Sequence, residues 1–280
     1  MKLDMFDRLV WQRDRMLLDD LVFRLEDYRS LNWDGGDHFR FYKMKEVVDE
    51  YESFFSRRSD FRAERVIELG IYDGGSTAFW YELFQPQKYV ALDIQDRTDP
   101  PYFSRYVESR GLGGRIKTYW NTDQGDKARL RRIVETEFEG PLDLVIDDAS
   151  HLYWLTRASF EALFPLLRPG GLYIIEDWAW DHWPDYRVPN YLWAAEDSLT
   201  RLAIELVEAA GTSGQLILSI VVHSVFVVVE RGPQQLDKAT PFNLEDYIKR
   251  RPGRRQLGLL SQLARKLQRK LGRFANRFRG

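Results

Sequence analysis

The sequence predicts an α/β fold built on a doubly wound, largely parallel sheet. Three observations predict it. Between residues 65 and 229, short apolar runs rich in β-branched residues alternate with amphipathic stretches of helical length. The first run leads through a glycine-containing turn into a helix. Acidic residues stand at the carboxyl ends of the runs: Glu68, Asp93, Asp148, Glu176 and Asp177. In a sheet wound this way ligands sit beyond those ends, so five acids there suggest a site.

The elements follow in order. Residues 1–60 read as a helical extension, because Leu9, Val10, Leu17, Leu18, Leu21, Val22 and Leu25 recur at helical spacing. Asn32 to Asp37 breaks that pattern as a loop, and a second helix runs from about Lys43 to Phe55. Strands are expected at Arg65–Leu69, Tyr89–Asp93, Ile116–Tyr119, Leu142–Ile146 and Leu172–Ile175. Between them lie helices at Ser76–Phe84, Tyr102–Arg110, Lys127–Phe138 and Leu155–Leu167, the last closed by Pro169-Gly170-Gly171. A helix at Asp197–Ala210 precedes a closing strand pair, Leu216–Val222 and Val225–Val229. The chain thus divides into an extension (1–60), an α/β domain (61–232) and a linker with a basic tail (233–280).

Composition narrows the chemistry. The 280 residues are 44% hydrophobic and 30% charged, which is globular and excludes a disordered or collagen-like chain. There is no cysteine, so disulfides, thiolate metal sites and cysteine nucleophiles are excluded. No apolar run reaches the roughly 20 residues of a membrane span, and the first residues lack the apolar core of a signal peptide, so a cytoplasmic location is expected. The net charge of −2 conceals an asymmetry. Of 41 Lys and Arg, twelve fall within residues 247–280, which hold no Asp or Glu, leaving 29 bases against 43 acids in the rest.

Glu68-Leu69-Gly70-Ile71-Tyr72-Asp73-Gly74-Gly75-Ser76 joins the first parallel strand to its helix, and Asp93 ends the next strand. An acid there can accept hydrogen bonds from both ribose hydroxyls of a nucleoside. A dinucleotide site calls for G-x-G-x-x-G, but Tyr72 stands at the second glycine position, and Glu68 and Asp73 would repel a diphosphate. S-adenosylmethionine carries no phosphate and bears a cationic sulfonium and amino group, so acids suit it. Asp147-Asp148-Ala149-Ser150-His151 ends the fourth strand and Glu176-Asp177 the fifth. A strand–helix–strand unit of this length sets the two ends side by side, so Asp148, Glu176 and Asp177 can converge. Clustered carboxylates repel one another unless neutralised, and a hard divalent cation such as Mg²⁺ fits them. His151, three residues beyond Asp148, is placed to accept a proton from a metal-activated hydroxyl.

The segment from Glu68 to Ser76 resembles motif I of class I S-adenosylmethionine-dependent methyltransferases. Asp-Asp-Ala-Ser-His at 147–151, followed by Pro-Gly-Gly-Leu-Tyr-Ile-Ile-Glu-Asp at 169–177, resembles the metal-dependent branch. That branch holds macrolide-sugar and rhamnosyl O-methyltransferases and the cephalosporin hydroxylase-like family. The resemblance covers roughly residues 62–230 and implies a Rossmann-like methyltransferase sheet. It implies cofactor contacts at Glu68, Gly70, Gly74, Ser76, Asp93 and Asp147. Asp123 would bond the adenine amino group and Gln124 would lie against the ring. Asp148, Glu176 and Asp177 would bind Mg²⁺, and His151 would be the base.

Trp178, Trp180, His182 and Trp183 follow the metal acids, and Trp154 follows His151. Such rings stack on sugars, so the expected acceptor is the hydroxyl of a sugar, free or lipid-linked. His223 sits in a strand and reads as structural, whereas His38 could fold over the site from the extension. Leu260, Leu263, Leu267, Leu271, Phe274 and Phe278 repeat with basic residues between them, a cationic amphipathic helix suited to an anionic membrane surface, with an acidic protein or nucleic acid as less favoured partners. Self-association is left open. Two other functions compete: a non-catalytic S-adenosylmethionine-binding scaffold recruited by the tail, and a metal-dependent hydroxylase. An iron oxygenase usually wants two histidines with one carboxylate, and only His151 lies in the cluster.

Overall fold

Strands, not an α-helix, occupy residues 9–25, after a 3-10 turn at Met5–Arg8. The computed structural model describes residues 5–25, 38–187, 196–237 and 240–250. β1 (Leu9–Trp11), β2 (Arg15–Leu18) and β3 (Leu21–Leu25) form an antiparallel meander, and β4 (Phe39–Phe41) adds parallel to β3. This corrects the helical reading of residues 9–25. A two-residue turn at Asp19-Asp20 pairs Leu18 with Leu21 and Leu17 with Val22, so leucines three to five apart meet across a hairpin instead of along a helix face. Asp19 takes φ 53°, the left-handed conformation that such turns use and aspartate tolerates. Met16, Leu18, Leu21 and Phe23 all point to the buried face. The expected second helix is present as α1 (Lys45–Ser56), which buries Val47, Val48, Tyr51, Phe54 and Phe55 along one side.

The rest follows the alternation closely. The elements are β5 (Arg65–Leu69), α2 (Gly75–Phe84), β6 (Lys88–Leu92), α3 (Pro101–Ser109), β7 (Ile116–Tyr119), α4 (Lys127–Glu137), β8 (Leu142–Asp147), α5 (Tyr153–Leu163), β9 (Leu167–Ile175), α6 (Leu199–Thr212), β10 (Ile217–Val222) and β11 (Val227–Arg231). They build one seven-stranded sheet in the order β10-β11-β9-β8-β5-β6-β7. β5 to β9 are parallel, β11 runs antiparallel to β9, and β10 antiparallel to β11. The direction of winding reverses between β5 and β8, where ligands of such sheets bind. α5 stops four residues short of its expected end. A single 3-10 turn (Phe164–Leu166) intervenes, and Pro169-Gly170-Gly171 lies within β9.

The amino-terminal sheet and α1 pack onto the main sheet through aromatic rings. Phe41 lies 4.9 Å from Phe79, Phe39 lies 4.7 Å from Tyr102, and Tyr51 stacks on Phe226 at 3.9 Å. Offset and edge-on ring pairs of this kind add about 0.5–1.5 kcal/mol each beyond burial. Part of the expected linker is also docked: Phe242, Leu244 and Ile248 are buried in the second hydrophobic core, and the Leu244 N–H donates to Glu161. The basic helix expected at residues 260–278 lies outside the described residues. Among the described residues no helix is long and apolar enough to cross a membrane.

Candidate active site

The turn after β5 and the ends of β6, β7 and β8 enclose a cavity of about 480 Å³. Gly70, Tyr72, Asp93, Asp123, Gln124, Asp148, Ser150 and Leu155 are among its lining residues. Two glycines make the turn possible. At Gly70 (φ 95°) a Cβ would stand 2.1 Å from the Asp148 carbonyl oxygen, so only glycine lets the ends of β5 and β8 close together. At Gly74 (φ 91°) a Cβ would stand 2.3 Å from the Phe103 ring.

Asp93 ties this turn down. Its Oδ2 accepts from the Ile71 N–H at 3.0 Å and the Tyr72 N–H at 2.8 Å, and its Oδ1 accepts from the Gln95 N–H at 2.9 Å. Oδ1, with one bond made, keeps acceptor capacity for a ribose hydroxyl. Asp123 lines the cavity, and its Oδ1 accepts from the Gly125 N–H at 2.7 Å. Gln124 also lines the cavity, but its amide is fully engaged. Its Nε2 donates to Asp147 at 3.0 Å, and its Oε1 accepts from the Ser150 N–H at 2.9 Å.

Four expected cofactor residues, Glu68, Gly74, Ser76 and Asp147, are not among the cavity's lining residues. Asp147 is buried beneath the cavity, where it accepts from the Ser159 and Tyr173 hydroxyls at 2.5 and 2.7 Å as well as from Gln124. Burial pushes its carboxyl up to about 6, against the pull of those donors. It therefore anchors the loop after β7 to the end of β8. Glu68 is wholly buried, accepting from Thr77 and Tyr89, with the Ser76 hydroxyl also against it. Burial raises Glu68 to about 7. Neither Glu68 nor Ser76 is among the cavity's lining residues.

The acids at the ends of β8 and β9 do converge. One ligand atom from each of Asp148, His151 and Asp177 lies within 4.8 Å of the others. His151 Nε2 is 3.9 Å from Asp148 Oδ1 and 3.9 Å from Asp177 Oδ2. Glu176 is turned instead toward Lys43. The Lys43 ammonium donates to Asp148 Oδ2 at 2.8 Å and also to Glu176 Oε2. Burial disfavours that ammonium, but Asp148 and Glu176 outweigh the burial and hold it protonated. Burial, then the charge of Asp148, pushes Glu176 up to about 8. Burial also raises Asp177. Even with Lys43 in place, the cluster carries more negative charge than it neutralises.

Backbone strain marks the same edge. Tyr72, Asn121, His151 and Asp177 take φ between 49° and 56°, and each lies in the loop that follows one of the strands β5, β7, β8 and β9. Left-handed non-glycine residues of this kind gather at functional sites. The aromatic residues divide. Trp180 is buried and its Nε1 donates to the His151 carbonyl at 2.9 Å, while Trp178 Nε1 donates to the His223 carbonyl at 2.9 Å. These two rings fix the loops around the cluster. Trp154 is exposed beside Arg201, Trp183 packs against the core, and His182 meets Thr200 at 2.7 Å. His223 stacks on Phe226 and faces Glu50, as a structural histidine does. His38 makes no described contact with the cluster.

Sequence reasoning missed Lys43, Tyr42 and Tyr51. The Tyr42 hydroxyl bonds that of Tyr72 at 3.2 Å on the cavity wall, and Tyr51 on α1 faces Glu176. All three come from the amino-terminal extension, and nothing in its pattern of residues marks them.

Comparison with known proteins points to methyltransferases. Residues 67–178 match the family model of a methyltransferase domain. The mycinamicin VI 2''-O-methyltransferase of Micromonospora griseorubida is 35% identical over 156 residues, covering 53% of this chain and 31% of that protein. The L-olivosyl-oleandolide 3-O-methyltransferase of Streptomyces antibioticus is 33% identical over 180 residues, covering 62% of this chain and 40% of that protein. This chain therefore spans well under half the length of these curated relatives. Among solved structures, the MycE methyltransferase of the mycinamycin biosynthetic pathway, in complex with Mg, SAH and mycinamycin VI, superposes with a TM-score of 0.52 at 31% identity. That match covers 69% of this chain and 51% of the other. These likenesses bear out the resemblance read from the two motifs, and with it the Rossmann-like methyltransferase sheet.

Proposed function

We propose that this protein transfers the methyl group of S-adenosylmethionine to a hydroxyl oxygen of a sugar, with Mg²⁺ at the acid cluster. The observation that carries the reading is the meeting of Asp148, His151 and Asp177 at the rim of a cavity that Asp148 itself lines. The cavity suits the donor, because its lining includes Asp93, Asp123 and Asp148 and no basic side chain. A cationic sulfonium is favoured there and a diphosphate is repelled. The cluster suits a divalent ion, because Glu176 and Asp177 are raised by burial and by neighbouring carboxylates.

Asp93 would hold the ribose and Asp123 the adenine edge. Asp148 and Asp177, with Glu176 as the third acid, would hold Mg²⁺, which when bound lowers the pKa of the acceptor hydroxyl. His151 Nε2 takes the proton, and Asp148 and Asp177, each 3.9 Å from that nitrogen, stabilise the imidazolium that forms. Tyr72, Gly70 and the Asp93 hydrogen bonds keep the turn rigid, so the donor and the acceptor oxygen are held in line.

The sugar acceptor rests on the substrates named for the relatives. It is carried by a glycolipid, an envelope glycan or a natural product. The cationic pattern of residues 260–278 favours a lipid-linked form, with the enzyme lying at an anionic membrane face. The test is incubation with methyl-labelled S-adenosylmethionine, Mg²⁺ and fractionated extract of the source organism. Label should enter a sugar-containing fraction and be lost with EDTA. Transfer undiminished by EDTA would refute the metal's part, and labelled protein or nucleic acid would refute the acceptor class.

A further inference from the structure

We infer that Lys43 holds the cation position while no ion is bound, and that a divalent ion entering the cluster displaces it. The inference rests on the metal reading above and adds a competitor for that site. The Lys43 ammonium is bonded to Asp148 and Glu176, two of the three acids assigned to the ion, and its side chain is only 9% exposed. An ion held by these two acids would share carboxylates that Lys43 already occupies. An ammonium and a divalent ion side by side on the same carboxylates would repel strongly at such short range.

One observation shows spare capacity at the acids, and a second points to exchange over cohabitation. Glu176 Oε1 is buried without a hydrogen bond of good geometry, its neighbour being the Tyr51 hydroxyl, so Glu176 has binding capacity that Lys43 leaves unused. Asp177 makes no hydrogen bond to Lys43 and instead faces His151. With Lys43 in place, the remaining ligand set would be Asp148, Asp177 and the His151 imidazole. Mg²⁺ prefers oxygen to imidazole, and that arrangement would also consume the base.

Lys43 is placed to leave. It lies in the short irregular segment between β4 and α1, ahead of the exposed Met44, on a flexible four-carbon stem. In the ion-free protein the ammonium compensates two carboxylates that would otherwise repel. The adjacent Tyr42 bonds Tyr72 on the cavity wall. The extension is thus a component of the metal site and not only a packing unit.

The test uses the full chain and needs no acceptor. Mn²⁺ binding is read by electron paramagnetic resonance for the wild type and for Lys43→Ala. In parallel, wild-type lysines are reductively methylated with and without saturating Mn²⁺, and Lys43 is followed by mass spectrometry. The expected result is a Lys43 protected without ion and modified with it, and Mn²⁺ affinity about tenfold or more tighter in Lys43→Ala. The labelling arm needs no variant, so it stands even if Lys43→Ala misfolds. If the wild type binds Mn²⁺ while Lys43 stays protected, and the variant gains no affinity, the exchange is overturned and the metal reading survives. If neither protein binds Mn²⁺, both fall together.

Discussion

Replacing Glu68 by glutamine should flatten the dependence of stability on pH. Glu68 is wholly buried among the hydroxyls of Thr77, Tyr89 and Ser76, and burial raises its carboxyl from 4.5 to about 7. In the unfolded chain it titrates near 4.5, so between these values the folded protein binds more protons than the unfolded one. Stability from this group is therefore fully present below about pH 4.5 and is lost as pH rises through about 7. The interval corresponds to about 3 kcal/mol. Urea unfolding of the wild type and Glu68→Gln at a series of pH values between 4.5 and 8 measures it. The variant should gain on the wild type by about 3 kcal/mol across that range, because glutamine has no charge to bury. Asp147 titrates in the same direction in both proteins and cancels from the difference. A difference that stays constant with pH would show that Glu68 ionises normally and would refute its burial.

Three other substitutions test separate parts of the site. His151→Asn keeps a residue that tolerates the local φ of 56° while removing the base, so turnover should fall about 10²–10⁴-fold with S-adenosylmethionine affinity unchanged by calorimetry. Gly70→Ala sets a methyl group 2.1 Å from a backbone oxygen that cannot move aside, and should cost about 3 kcal/mol or more, read as a fall in Tm of roughly 5–10 °C. Asp93→Asn replaces two acceptor oxygens with one and an amide that confronts backbone N–H groups, so cofactor affinity should weaken about tenfold or more while the far-UV circular dichroism is unchanged.

From Arg65 onward the fold was legible because the signals agree. Runs of Val, Ile and Leu end in acids, and each is followed by a helix with one apolar face. The boundaries of β5 and β7 match their expected residues, and α5 overran because Leu163, Leu166 and Leu167 keep a helical spacing past the 3-10 turn. Residues 9–25 were misread because a two-residue hairpin turn and one helical turn bring similarly spaced residues together. Only the Asp19-Asp20 pair marked the difference.

At the site, Asp93, Asp123 and Asp148 line the cavity, in the loops that follow β6, β7 and β8. Glu68 and Asp147 lie one step back, where the sheet's alternation turns them away from the cavity into interior hydroxyl clusters. Lys43 was invisible because its partners are 105 and 133 residues away, and a lone lysine ahead of a helix carries no local pattern.

The most direct measurement is anomalous diffraction from crystals of the full chain grown with Mn²⁺ and S-adenosylhomocysteine. The account predicts an anomalous peak bound by carboxylate oxygens of Asp148, Glu176 and Asp177, with His151 beside it, Lys43 turned away, and the nucleoside against Asp93. Nucleoside in the cavity with no peak at saturating Mn²⁺, and Lys43 still bridging Asp148 and Glu176, would contradict it.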